Sequence, residues 1–443
     1  MKEKLKQFYH AHSNSRILRG ALKLYRQIKY FIKEHILDFI AALQMMKWKF
    51  SPANEQRPVR VCFVQQDPNC WNKSKALYDL LNQDARFEVS LLCVPDPFDP
   101  DTGSTYRYFV EKGYNAIDAR IGDGPWDTRT SKGSWFDLRS LKPDYLFYQQ
   151  PYNAYLPAPY RSARVSRYTK ICITLYGTIL TRQILNCMER DFYRHVYRSY
   201  AISEAEQKFN RSRFPVSHFL GIRSTHYFGP LPIVDFLKQK EASSSSWDFS
   251  QNQFRVIWTP RWTTDETLGG SNFFRYKDFL PEYAASHPDT DILMRPHPMA
   301  FDNFVRTGKM TQDEVDRYVQ LCNSAANTAL DTQKNYDATF WQSSVLLTDL
   351  SAIIVEYFLT GKPIIFCQTE SPSSTFLDFF QQILMVCYIA RDQDDVAHYL
   401  QQLQAGHDPL QNARMQVIEQ LFGADPLSIP ERIANDILND SGI

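Results

Sequence analysis

The chain has 443 residues, of which 44% are hydrophobic, 14% aromatic and 22% charged. That size and balance call for two or three folded domains and exclude long disorder, a collagen-like repeat or an extended coiled coil. Lys and Arg total 50 against 49 Asp and Glu, and the formal net charge of +1 supplies no overall field for nucleic acid.

Residues 1–50 stand apart. Lys2, Lys4, Lys6, Arg16, Arg19, Lys23, Arg26, Lys29 and Lys33 outnumber the acids, and apolar residues recur from Leu18 through Tyr25, Ile32, Ile36 and Phe39 to Leu43 at helical spacing. The segment is a basic amphipathic helix. Its least charged stretch, Ile36 to Met46, holds Asp38 and is too short to span a bilayer. Two readings stay open: a helix lying in a membrane interface over anionic headgroups, or one packed on its own protein. The N-terminus carries no secretory signal pattern, so the expected location is cytoplasmic, peripheral on the inner face of the cell membrane only under the first of these readings.

From Arg57 the pattern alternates. Val59 to Val64, Phe87 to Val94, Tyr145 to Tyr148, Lys170 to Leu175 and Tyr197 to Ile202 are strand-length runs rich in β-branched and aromatic residues, and Lys73 to Asn82 and Glu204 to Arg211 between them are helical. The polar stretch 239–250, with Ser243 to Ser246, reads as a linker. A second alternating block follows: strands at Phe254 to Trp258, Asp291 to Met294, Ser344 to Thr348 and Ile364 to Cys367, and helices around Lys277 to Ser286, Thr311 to Asn323 and Ala352 to Leu359. The expectation is an α/β protein with two Rossmann-like domains, 51–238 and 251–443, whose parallel sheets face a cleft. Ligands of such sheets sit at the carboxyl ends of the strands. The eight scattered cysteines, none in a CxxC pair, read as buried thiols of a reducing compartment.

Three loops after strands carry the chemistry. In Val345 to Phe366 a strand ends at Asp349, Ser351 is placed to cap the next helix, and Gly361 and Pro363 stop it. Free amides at that helix start favour phosphate, and Glu356 can accept hydrogen bonds from a ribose; otherwise Ser351 is only a cap and Glu356 only meets solvent. In Met294-Arg295-Pro296-His297-Pro298 two prolines stiffen a loop bearing Arg295 and His297, a grip on a diphosphate in which the imidazole can protonate a leaving phosphate. Trp258-Thr259-Pro260-Arg261-Trp262 sets Arg261 on a third stiff turn. Asp99-Pro-Asp101 and Asp289-Thr-Asp291 have metal-binding spacing, but one lies in a Pro-rich loop and the other precedes a strand. Walker, GxGxxG, GxSxG and HExxH patterns are absent from the sequence. Phosphate binding therefore falls to helix ends and to Arg and His side chains, without a required metal or cofactor.

Together these loops resemble the CDP-glycerol glycerophosphotransferase family of teichoic acid and capsule enzymes. That family carries a Pro-Thr-Trp-Arg-like segment, an Arg/Lys-x-His-Pro loop and a Thr-Asp-x-Ser-(x)4-Asp/Glu segment before Pro-Ile-Ile-Phe. Here these are Thr259 to Trp262, Arg295 to Pro298, and Thr348 to Glu356 with Pro363 to Phe366. The resemblance implies a GT-B fold, a CDP-linked donor held by the second domain, and association with the membrane face. It covers the second half well and the first half loosely. The family's Trp-His-Gly-Thr-like motif, whose His is the presumed base for the acceptor hydroxyl, corresponds here to Leu175-Tyr176-Gly177-Thr178, and a phenol with a reference pKa near 10 is a poor base. Asp67, after the first strand, is the substitute candidate, or else a solvated loop acid.

The reaction so implied moves glycerol phosphate, or a related polyol phosphate, from a CDP-linked donor to a hydroxyl of a membrane-bound or polymeric glycan or polyol-phosphate acceptor. Arg261, Arg295, Asp349, Ser351 and Glu356 would hold the donor, His297 and Asp67 would move protons, and Tyr176, Gly177 and Thr178 would face the acceptor. Two alternatives remain: a GT-B glycosyltransferase using a nucleotide sugar, and a non-catalytic subunit of a polymer-assembly complex.

Overall fold

The computed structural model describes residues 16–50, 57–241, 246–249, 251–265, 270–333, 335–369 and 375–443, the side chains of 16–22 excepted. Lys2, Lys4 and Lys6, and most of the serine run of the linker, lie outside the described residues.

The first sheet holds seven parallel strands: β1 (Val59–Gln65), β2 (Phe87–Cys93), β3 (Ala116–Asp118), β4 (Tyr145–Tyr148), β5 (Lys170–Thr174), β6 (Arg198–Ala201) and β7 (Ser224–Tyr227). Their order is β3-β2-β1-β4-β5-β6-β7, with Val61 opposite Tyr145 in the register. The second sheet is built from β8 (Phe254–Thr259), β9 (Thr290–Met294), β10 (Thr328–Leu330), β11 (Val345–Thr348), β12 (Ile364–Cys367) and β13 (Tyr388–Ala390), in the order β10-β9-β8-β11-β12-β13. Both sheets reverse their winding beside the first strand, between β1 and β4 and between β8 and β11. Open parallel sheets bind ligands at such switch points, beyond the strand ends.

Burial explains the strands. Successive side chains point to opposite faces: Val59, Val61 and Phe63 enter one core cluster, while Cys62 and Val64 enter another. In β8, Val256 and Trp258 face one core and Ile257 the other. Helices cover both faces of each sheet, so the strands read as unbroken apolar runs. The eight cysteines are free, and six of them are buried.

Four features depart from the sequence reading. The edge strands β3, β7, β10 and β13 are only 3 or 4 residues long and gave no signal. The linker is anchored by Trp247, which is fully buried and donates Nε1–H to the Thr339 carbonyl at 2.9 Å. After the second sheet the chain crosses back: the last helix, Ile429–Ser441, buries Ile433, Ile437 and Leu438 in the core of the first sheet. Its Asp440 accepts from Lys170 at 2.7 Å. Finally, the helix after Asp349 spans only Ile354–Phe358, its start carries no side-chain cap, and Ser351 does not cap it. Gly361 ends the segment with φ +73, a left-handed conformation that favours glycine.

The N-terminal helix, α1 (Arg16–Lys49), has two parts. Its last turns dock on the first unit, where Ala41, Ala42 and Met45 are buried with Tyr197 and Ile222. Asp38 accepts from Arg194 at 2.8 Å, and Glu34 pairs with the same guanidinium. From Lys23 to Lys33 every residue is exposed. No described helix is long and apolar enough to cross a membrane.

Candidate active site

The switch points of the two sheets face each other. From β1 the chain runs to Asp67, whose carboxylate accepts from Asn69 N at 2.8 Å and from Cys70 Sγ at 3.3 Å. Buried Gln149, just past β4, fixes this loop: its Oε1 accepts from Gln66 N at 3.1 Å and Asp67 N at 3.0 Å, and its amide donates to Asp67 O at 2.7 Å. The Asp67 side chain is thereby held at the strand end.

Across from it are the loops after β8, β9 and β11. Arg261 donates Nη1–H to Leu350 O at 2.7 Å, and its Nε is buried without a hydrogen-bond partner. Burial lowers its pKa, against the pull of Asp349 and Asp265. A buried guanidinium donor left unsatisfied is costly, a condition Arg261 shares with Arg190, Arg198 and Arg223. Arg295 pairs with the fully buried Asp331 carboxylate and donates to Gln333 O at 2.7 Å. A guanidinium carries five donors in a fixed fork, so these partners orient it without exhausting it.

His297 is exposed on its loop. Its Nδ1 accepts from Met299 N at 3.2 Å, which leaves the proton of the neutral ring on Nε2. Although the residue is exposed, the protein surrounding its ring desolvates it, and with Arg261 and Arg295 this depresses its pKa to about 4, Asp67 pulling the other way. His297 thus lies within electrostatic reach of Arg261 and Arg295 on its own unit and of Asp67 on the opposite one.

Other predicted residues stand differently. Asp349 is 1% exposed, and its two oxygens accept from Arg261 N at 2.7 Å and Asn272 N at 2.9 Å. Burial raises its pKa to about 6 against those backbone bonds. It ties two loops to the end of β11. Ser351 stands before a helix too short for much of a dipole. Glu356 is 6% exposed and is held from both sides: Lys73 Nζ lies 2.6 Å from Oε1, and the Tyr336 hydroxyl donates to Oε2. Lys73 lies in the first turn of the helix Asn72–Gln83 of the first unit, so this ion pair bridges the units. Burial works against the Lys73 ammonium, but Glu356 and Tyr336 outweigh it and hold its pKa above the usual lysine value. Beside them Asp337 is buried with neither carboxyl oxygen hydrogen-bonded, and burial together with Glu356 raises its pKa to about 7.

Tyr176, Gly177 and Thr178 follow β5 and are half-buried. Burial first, then Tyr152 and Cys70, raise the Tyr176 pKa above the ordinary phenol value, so still less of it is ionised to act as a base near neutral pH. The space where a side chain on Gly177 would stand is open. Lys73, Tyr336, Asp337 and Gln149 were not among the sequence candidates. No local motif marks them, since their importance arises only when the two sheets meet.

Two parallel α/β units whose sheet switch points face across a cleft define a GT-B-like fold. Comparison with solved structures agrees on the fold. The UDP-GlcNAc 2-epimerase from Neisseria meningitidis bound to UDP-GlcNAc aligns with a TM-score of 0.58 at 13% identity, over 86% of this chain and 100% of that one. The S. aureus MnaA–UDP structure gives 0.56 at 12%, over 86% and 96%. The wall teichoic acid polymerase TagF gives 0.53 at 12%, over 95% and 98%. No curated protein sequence matches the chain. The sequence model of the CDP-glycerol:poly(glycerophosphate) glycerophosphotransferase family matches residues 186–439, more than half of the chain, and the chain belongs to that family. It is a transferase whose donor is CDP-glycerol.

Proposed function

We propose that the chain transfers glycerol phosphate from CDP-glycerol to a hydroxyl of a glycan or polyol-phosphate acceptor during surface-polymer synthesis at the inner face of the cell membrane. What supports this division of roles is the position of Arg261, Arg295 and His297 on strand-end loops of one unit, with Asp67 at a strand end of the other and within electrostatic reach of His297. The acceptor oxygen attacks the β-phosphorus, the bond from that phosphorus to the bridging oxygen breaks, and its electron pair leaves with CMP. Arg261 and Arg295 neutralise the diphosphate, catalysis by positioning and charge stabilisation. The arriving negative charge raises the His297 pKa, so the ring can protonate the departing phosphate. Asp67 takes the acceptor proton in place of the family histidine. Glu356, with Lys73 and Tyr336 on its carboxylate, is assigned to the ribose, and Asp349 and Ser351 shape the loop beside it.

The resemblance in fold to the wall teichoic acid polymerase TagF supports the assignment to surface-polymer synthesis. The exposed basic and apolar stretch of α1 supports membrane contact: Lys23, Arg26, Lys29 and Lys33 alternate with exposed Tyr25, Ile28, Phe31 and Ile32. The test is a donor screen with purified protein. CMP release from CDP-glycerol in the presence of acceptor supports the reading; turnover of nucleotide sugars alone overturns it.

A further inference from the structure

We propose that Tyr336 is a positioning residue for the nucleotide donor, a single side chain that sets both the carboxylate assigned to the ribose and a guanidinium assigned to the diphosphate; this rests on the roles given above to Glu356 and Arg295. Tyr336 ends the loop that follows β10 and stands at the start of the helix Asp337–Gln342. Its ring packs on the fully buried Phe340, with centroids 4.8 Å apart. The phenol is thereby anchored on the core of the second sheet.

Two groups of the donor site meet this side chain at different places. At the tip, the hydroxyl donates to Glu356 Oε2 and accepts from Lys73 Nζ at 2.9 Å. An ammonium can only donate, so the one phenolic proton goes to the carboxylate. Lys73 also holds Glu356 Oε1 at 2.6 Å. With a donor on each oxygen the carboxylate is fixed in its plane, and its remaining lone pairs keep set directions for ribose hydroxyls. At the ring, the Arg295 guanidinium carbon lies 5.0 Å from the centroid, within cation–π range. Arg295 is otherwise held by Asp331 and by Gln333 O, and the ring adds a third constraint on the fork.

The two functions are separable by chemistry. Removing the hydroxyl alone releases one oxygen of Glu356 and leaves the ring under Arg295. Removing the ring as well loosens the guanidinium. A ligand that carries a ribose reads both changes, whereas a bare diphosphate reads only the second.

The experiment titrates the full chain by calorimetry with CDP and, separately, with inorganic diphosphate, in the wild type, Tyr336→Phe and Tyr336→Leu. The wild type should bind both ligands. Tyr336→Phe should bind CDP about tenfold more weakly, the effect of losing one useful hydrogen bond, with its affinity for inorganic diphosphate unchanged. Tyr336→Leu should weaken both. Melting curves check that each variant is folded, and if Tyr336→Leu is not, the contrast between the two ligands in Tyr336→Phe decides alone. Equal weakening of both ligands in Tyr336→Phe would reveal a general effect on the fold and overturn the positioning role. Unchanged CDP binding by Tyr336→Phe, or unchanged diphosphate binding by a folded Tyr336→Leu, would overturn it too. A wild type that binds CDP but no inorganic diphosphate would overturn the Arg295 half. A wild type that binds neither ligand would instead sink the assigned donor site, and the role of Tyr336 with it.

Discussion

Two ionisable side chains have environments at odds with their ordinary charge. His297, depressed to about 4, is neutral in the donor-free protein at pH 6, and a diphosphate beside it reverses that. Binding of CDP at pH 6 should therefore take up protons, seen by calorimetry as a dependence of the heat on buffer ionisation. His297→Gln should abolish the uptake and cut turnover about 10²-fold, the scale of a lost acid–base group, with the melting temperature unchanged. Asp337, raised to about 7 by burial and Glu356, is protonated in the fold where an unfolded aspartate has ionised. The folded state then binds the extra proton between about pH 4 and 7, so this residue's contribution falls as pH rises through that window and is flat above it. Asp337→Asn should consequently gain more melting temperature relative to wild type at pH 8 than at pH 4; an equal change at both would show that its carboxyl is not held neutral.

Among the elements, the helix Asn72–Gln83 and the helix Ile354–Phe358 meet through Lys73 and Glu356, with both side chains less than a tenth exposed. Removing one partner of a buried pair leaves the other charge unmatched, at a cost of about 3–5 kcal/mol. Lys73→Met should thus be strongly destabilising, and Lys73→Met with Glu356→Gln much less than the sum of the single changes. Denaturant unfolding of the four proteins measures this, and simple additivity would show that the pair does not couple the units. Glu356→Gln alone should also weaken CDP affinity, because a neutral amide is the poorer acceptor for ribose hydroxyls. This contact also marks the limit of sequence reading. The strands around Val61 and Ile257 were legible because a two-sided core demands an unbroken apolar run, and Arg261, Arg295 and His297 because prolines and strand ends announce them. Lys73 looks like any helix-surface lysine until the second unit buries it. Asp349, legible as a motif residue, turned out to spend both oxygens on backbone amides, a partition no spacing encodes.

For the whole molecule, the closing elements tie ends to middle: the last helix returns to the first sheet, and α1 docks on the same unit through its final turns. Sequence periodicity gave the length and charge of α1 but not this division, because exposed and docked turns carry similar apolar residues. The division sets where a deletion is informative. Removing residues 1–49 would strip Met45 and Ala42 from a packed surface and break the Asp38–Arg194 bond, confounding membrane contact with folding. A cut just before Glu34 removes only residues that touch solvent or lie outside the described side chains, and it takes with it Lys23, Arg26, Lys29 and Lys33. Each cation near an anionic leaflet is worth about 1 kcal/mol, screened by salt. The shortened protein should melt as the full chain does and bind CDP equally, yet cosediment far less with vesicles containing phosphatidylserine. Full-length protein should be partly released by high salt and retained in part by Tyr25, Ile28, Phe31 and Ile32, since apolar burial is not screened. Equal vesicle binding by both proteins would leave α1 as a packing element alone and move any membrane contact elsewhere on the surface.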